Sequence, residues 1–312
     1  MARSPAHRFG QIIGDLVEEA VGPPLQRLAN AHGLYLDRQG PRPARGSSKL
    51  VRWEDSFGNQ HNLDYVLERG GTPEAVGVPV AFIESAYRSY TKHSRNKAQE
   101  IQGAILPLVT RHSHVAPFAG VVVAGVFTGD ALKQLESVGF SVLHLPPETV
   151  VAAFSAVGVD ASFGEQTPDS GVAAKVAACE RLSPAARGRV AAALLEANRR
   201  GLDRFLVALE QAIRRSVESV WVLPLHGIQV HCPSVAEAIA LVETYAEGGI
   251  ATGAVVRWEV RVRFSNGDRV EAQFADRPAV LEFLRGYAPP EVRPAGSGRS
   301  RAARTHSRRR QP

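Results

Sequence analysis

Cysteine is almost missing from this 312-residue chain: Cys179 and Cys232 are its only two, far apart in different segments. No Cys-x-x-Cys pair and no secreted disulfide pattern occurs, so a reducing compartment and no zinc site are expected. Long apolar runs are missing as well. The most apolar stretch, residues 118–127, is far too short to cross a bilayer. Asp15, Glu18 and Glu19 interrupt the apolar start of the chain, which excludes a signal peptide's core there. A soluble, cytoplasmic protein without a membrane partner is the expectation.

Three chemical signatures are lacking too. No Gly-x4-Gly-Lys-Ser/Thr loop is present, which argues against an ATPase or helicase. No Gly-x-Ser-x-Gly elbow follows a strand, so a serine hydrolase triad has no support. No Gly-rich dinucleotide turn occurs, which argues against a methyltransferase in the same chain. His112 and His114 sit two apart on a loop, a poor spacing for metal ligands.

Excess positive charge is lacking outside one end. The formal net charge is +6, but the segment from Pro294 to Pro312 alone carries Arg299, Arg301, Arg304, Arg308, Arg309 and Arg310 and no acid. The remaining body is close to neutral, so any polyanion surface there must come from local clustering. The Arg-rich tail, residues 293–312, reads as disordered.

What is present suffices for a packed core: 44% of residues are hydrophobic and 22% charged. The length suggests two domains. Phe9, Ile12, Ile13, Leu16, Val17 and Ala20 repeat at helical spacing, and Pro23-Pro24 predicts a bend near the end of that helix. Residues 37–48 read as a loop. The period then changes to two, predicting strands over 49–54 and 60–68 around a turn containing Gly58-Asn59. A buried strand over 78–85, a helix over 93–106, a strand over 120–128, a helix over 130–138, a strand over 141–145 and a helix over 148–157 follow. This order predicts an α/β fold with a mixed central sheet flanked by helices, spanning residues 1–165. A polar linker leads into a helical segment, residues 166–218, and then a small α+β module, residues 219–292. In that module Arg257, Glu259, Arg261 and Arg263 alternate with Trp258, Val260, Val262 and Phe264. The pattern describes an amphipathic strand with a basic outer side, useful for recognition or merely solvated.

Two acids lie at the ends of adjacent apolar strands: Asp64 in Asn62-Leu-Asp-Tyr-Val-Leu67, and Glu84 in Val80-Ala-Phe-Ile-Glu-Ser85. A carboxylate beside such a run is costly unless compensated. Two converging at one sheet edge repel each other unless a divalent cation lies between them. Arg88, Lys92, Arg95 and Lys97 follow before the next acid, Glu100. Acids that hold Mg²⁺ beside cations that hold phosphate are what phosphodiester hydrolysis needs.

The order helix, hairpin with Asp64, strand with Glu84, helix, strand, helix, strand resembles the PD-(D/E)XK nuclease superfamily, which includes type II restriction endonucleases and Holliday-junction resolvases. The resemblance covers roughly residues 9–157, half the chain. It implies that Asp64 and Glu84 are metal ligands for Mg²⁺, with Mn²⁺ as a substitute. The family's lysine belongs two residues after the glutamate, where this chain has Ala86. Some members carry it on the following helix, which makes Lys97 the candidate and Lys92 the second choice. Glu18 matches a further acid that the family's first helix often supplies, and Glu100 is an outer acid. Arg88, Lys92 and Arg95 are the expected contacts to the DNA backbone. The resemblance thus implies an endonuclease acting on double-stranded DNA, a homodimer, and a companion methyltransferase. Ala86 keeps an alternative open: a DNA-binding or adaptor protein of a defence or repair system that has lost catalysis. A junction or single-strand nuclease is the third reading.

Overall fold

The computed structural model describes residues 4–90, 94–164, 166–225, 227–246 and 255–288. Lys92 and the Arg-rich tail lie outside the described residues. Helix α1 (Pro5–Ala31) starts where the sequence provides a stop and a cap: the Ser4 hydroxyl accepts the His7 N–H at 3.3 Å, and Pro5 opens the first turn. The expected bend at Pro23-Pro24 does not end it. Phe9, Ile13, Leu16, Val17 and Val21 before the prolines and Leu25 and Ala29 after them are buried in one cluster. Burial of both halves outweighs the roughly 3 kcal/mol that an interior proline costs a helix.

A strand that periodicity did not reveal, β1 (Leu34–Arg38), occupies part of what reads as loop. The anticipated hairpin is divided. Strands β2 (Val51–Glu54) and β3 (Gln60–Leu63) form a two-stranded sheet of their own, and the chain bends at Asp64 before β4 (Tyr65–Arg69) joins the main sheet. Strand β5 (Val78–Arg88) runs three residues past the predicted end, because Ala86, Tyr87 and Arg88 pair with Val123, Ala124 and Gly125 of β6 (Phe118–Gly125). With β7 (Ser141–Leu145) the sheet has the order β1-β4-β5-β6-β7, antiparallel up to β5 and parallel beyond it.

Alternation along β5 sorts its side chains between two cores. Ala81, Ile83 and Tyr87 face α1, packed with α4 (Pro147–Ser155), α5 (Asp169–Glu180), α6 (Pro184–Ala197) and α7 (Arg199–Arg214). Phe82 and Ala86 face α2 (Ser94–Arg111) and α3 (Gly129–Ser137). The result is a mixed sheet between two helical layers. The segment 160–170, polar in sequence, is pinned to the first core by Ala161 and Phe163.

The last part of the chain has a core of its own. Strands β8 (Val217–Pro224), β9 (Val230–Cys232), β10 (Trp258–Phe264) and β11 (Arg269–Phe274) form an antiparallel sheet of order β11-β10-β8-β9, covered on one face by α8 (Val235–Thr244) and α9 (Arg277–Arg285). Trp258, Val260, Val262 and Phe264 are buried while Arg261 and Arg263 are exposed, as the alternation predicts. Among the described residues no helix is long and apolar enough to cross a membrane.

A carboxylate cluster at the edge where β4 leaves β5

Tyr65 pairs with Ile83 across β4 and β5. One residue further along this antiparallel register, Asp64 comes opposite Glu84. Side chains so placed are neighbours, and like charges there repel. Both acids are held in that position. The Asp64 Oδ2 atom accepts the Ser85 N–H at 2.7 Å. Glu84 follows Val80-Ala-Phe-Ile83, all buried, and its own side chain is only 15% exposed. The bend at Asp64 is therefore not idle: where β4 ends, Ser85 has a backbone N–H free for the carboxylate.

Glu18 completes the group from α1. The Tyr65 hydroxyl donates to its backbone carbonyl at 2.7 Å, fixing this turn of the helix against β4 just before the carbonyls that Pro23 and Pro24 leave unpaired. Burial, then Asp64, Asp15 and Glu19, raise the Glu18 carboxyl to about 8. Burial also raises Glu84, reinforced by Asp64 and Glu18 and opposed by Lys97. Asp64 moves the same way, again through burial, against the Ser85 hydrogen bond and Lys97. The three carboxyls thus sense one another, and each is held less readily ionised than in water.

Lys97 is brought to this group from the first turns of α2. Its Nζ lies 3.9 Å from Glu84 Oε1 and 3.5 Å from Glu100 Oε2. Arg88 reaches the same Glu100 oxygen at 3.5 Å, so Glu100 links the two cations at the cluster's outer side. Arg95 is exposed, two residues before Lys97 and so about 200° away around the helix. Ala86, two residues after Glu84, is buried among Phe82, Ala98 and Ile101. His112 packs against Trp53 and Phe82, and burial holds its pKa down to about 4.

Two oxygens remain unaccounted for. Glu84 Oε2 is buried without a hydrogen-bond partner, and so is the neighbouring Ser85 hydroxyl. A buried acceptor left alone costs about 1–3 kcal/mol, and more when charged. No group of three or more His, Cys, Asp and Glu side chains is arranged to hold a metal among the described residues. The donor set instead suits a hard cation that keeps most of its waters: Mg²⁺ is usually bound through one or two carboxylates. Asp64 and Glu84 supply those two, and the lone Oε2 supplies a free donor atom.

Sequence reasoning missed the groups that hold these side chains in place. The Ser85 N–H and Tyr65 hydroxyl have no signal of their own, because their partners are set by the register of two strands distant in sequence. No protein-family model and no curated protein matches the chain. A solved structure described as a protein of unknown function, AF1548, is similar over 59% of this chain and 98% of its own, at 13% identity and a TM-score of 0.28, a likeness too slight to carry an argument.

Proposed function

We propose that this chain is a divalent-metal-dependent DNA endonuclease of the restriction-endonuclease-like kind. The observation that carries the reading is the lone Glu84 Oε2, buried in a cluster of three carboxyls that repel one another, with Lys97 within 3.9 Å of the same side chain. A carboxylate cluster of this kind is unfavourable for folding and useful for holding Mg²⁺ or Mn²⁺. When bound, such an ion lowers the pKa of a coordinated water and offsets charge on the phosphate.

The chain's own residues do the rest. Asp64 and Glu84 would hold the ion, and the Ser85 N–H keeps Asp64 turned toward Glu84. Lys97 places a positive charge where the attacking water and the phosphate oxygens meet, which stabilises the charge that develops in the transition state. Arg88, tethered by Glu100, is set to hold a backbone phosphate alongside. Site-specific cutting of both strands of a duplex would need two such centres, hence a homodimer, and in a host cell a companion methyltransferase.

The alternative, a chain that binds DNA without cutting it, has Ala86 in its favour. The test is incubation of supercoiled plasmid, single-stranded circles and branched DNA with Mg²⁺ or Mn²⁺, wild type beside Asp64→Asn and Glu84→Gln. Metal-dependent cutting that both substitutions abolish supports the nuclease. DNA binding without cutting of any substrate, unaffected by either substitution, leaves the binding reading.

A further inference from the structure

Strand β5 changes character beyond Ile83. From Glu84 to Arg88 it pairs with Val121 to Gly125 of β6 on one side, while on the other β4 has already ended at Tyr65. The outer edge of β5 is thus left to α1 and the start of α2. On α1, His7, Gln11, Gly14 and Glu18 are spaced four, three and four residues apart, which places them on one stripe of the helix. A Cβ on Gly14 would meet nothing within 4 Å. The stripe is therefore polar at His7 and Gln11, open at Gly14, and ends at the acid of the cluster.

A cleft of about 500 Å³ opens beside this edge, lined by His7 and Gln11 of α1, Tyr87 and Arg88 of β5, and Asn96 and Glu100 of α2. Arg88 and Glu100 also belong to the chain of ion pairs that reaches Lys97 and Glu84, so the cleft's lining is linked to the cluster. From His7 to Gln11, which line the cleft on α1, the helix rises about 6 Å, the span of roughly one or two nucleotides of one strand. The volume is in the range that encloses a single small ligand. One or two nucleotides fit it, and a duplex does not.

We propose that this groove takes the strand to be cut in unpaired form, its backbone running from the carboxylate cluster past Gly14 and its next base held by the side-chain amides of Gln11 and Asn96. The proposal rests on the nuclease reading and narrows its substrate to single strands, frayed ends or unpaired tails, in place of site-specific duplex cutting. The chemistry of the groove decides for this occupant. Carboxamides pair with the exposed edges of bases, which a duplex conceals along this face. Arg88 supplies the phosphate contact.

The experiment measures binding of the full chain, without divalent metal, to a labelled single strand, the same sequence as a blunt duplex, and that duplex with an unpaired tail. Wild type is compared with Gln11→Ala/Asn96→Ala and with Gly14→Leu, which adds bulk to the same stripe of α1 between Gln11 and Glu18, where a Cβ meets nothing within 4 Å and leucine also favours the helix. The expected result is binding of the single strand and the tailed duplex roughly tenfold tighter than the blunt duplex, with that preference lost in both variants at unchanged melting temperature. Equal affinity for the blunt duplex, or variants that keep the wild-type preference, would overturn the groove. Mg²⁺-dependent cleavage is read in parallel with Glu84→Gln. Groove-dependent binding without cleavage counts against the nuclease alone, whereas Glu84-dependent cleavage confined to blunt duplex counts against the groove alone.

Discussion

Lys97 Nζ stands 3.9 Å from Glu84 Oε1 although α2 carries one and β5 the other. Ala86, two residues after Glu84, is packed among Phe82 and Ala98. The positive charge beside Glu84 comes from α2. Lys97→Met should lower metal-dependent cleavage by about 100- to 1,000-fold, the loss usual for one preorganised charge donor. The comparison is of single-turnover rates, with circular dichroism to verify the fold. Wild-type rates in the variant would remove Lys97 from the mechanism.

The same cluster should cost stability. Glu84 is raised by burial and by Asp64 and Glu18, and one of its oxygens has no partner. Glu84→Gln removes the charge and keeps the shape. The variant should melt several degrees above wild type in metal-free buffer near pH 8, and added Mg²⁺ should narrow the gap by stabilising wild type alone. A variant that melts lower would mean that the carboxylate is held by contacts other than a cation.

A pH dependence follows from Glu18. Its carboxyl is raised from 4.5 to about 8, first by burial and then by Asp64, Asp15 and Glu19. Over that window the folded chain keeps a proton that the unfolded chain has released. The stability this contributes is fully present below about 4.5 and is lost as pH rises through about 8. Between roughly pH 6.5 and 8.5, where ordinary carboxylates no longer titrate, the melting temperature of metal-free protein should therefore fall. Glu18→Gln should flatten the fall. A wild-type profile that rises with pH across this window would contradict the placement of Glu18.

Away from the site, the structure contains a buried charge network that no periodicity announces. Arg42, with a side chain 1% exposed, donates to Glu68 Oε1 and Oε2 at 2.6 and 2.9 Å and lies 2.8 Å from Asp37 Oδ2. It also donates to the carbonyls of Thr72 and Ala75, tying the loop between β4 and β5 to β1. Arg42→Ala strands buried Glu68 and leaves Asp37 with Arg45 alone, 3.2 Å away, and should destabilise the fold by about 3–5 kcal/mol, read from urea denaturation. A change within about 0.5 kcal/mol, the usual size of a surface effect, would show that the network is not a unit.

Where the sequence was legible, one physical signal dominated. The helix of α1 and the buried strands β5, β6 and β7 follow from their apolar periods, and Asp64 and Glu84 stand out because each interrupts or ends such a period. Lys97 is singled out only by the family resemblance, which allows the lysine on the helix after Glu84. What escaped depends on partners distant in the chain. Leu34–Arg38 forms β1 because Tyr65–Arg69 offers it an antiparallel edge, with Leu36 opposite Leu67. Pro23-Pro24 is carried inside α1 because residues on both sides share a core. The split between β3 and β4 is invisible locally, yet it is what brings Asp64 to the Ser85 N–H.

Calorimetric titration of the metal-free protein with Mn²⁺ tests the central claim most directly. The account predicts one binding event per chain, weakened at least tenfold by Asp64→Asn and by Glu84→Gln and unaffected by Arg95→Ala. Absence of binding, or binding that both acid substitutions leave intact, would contradict it.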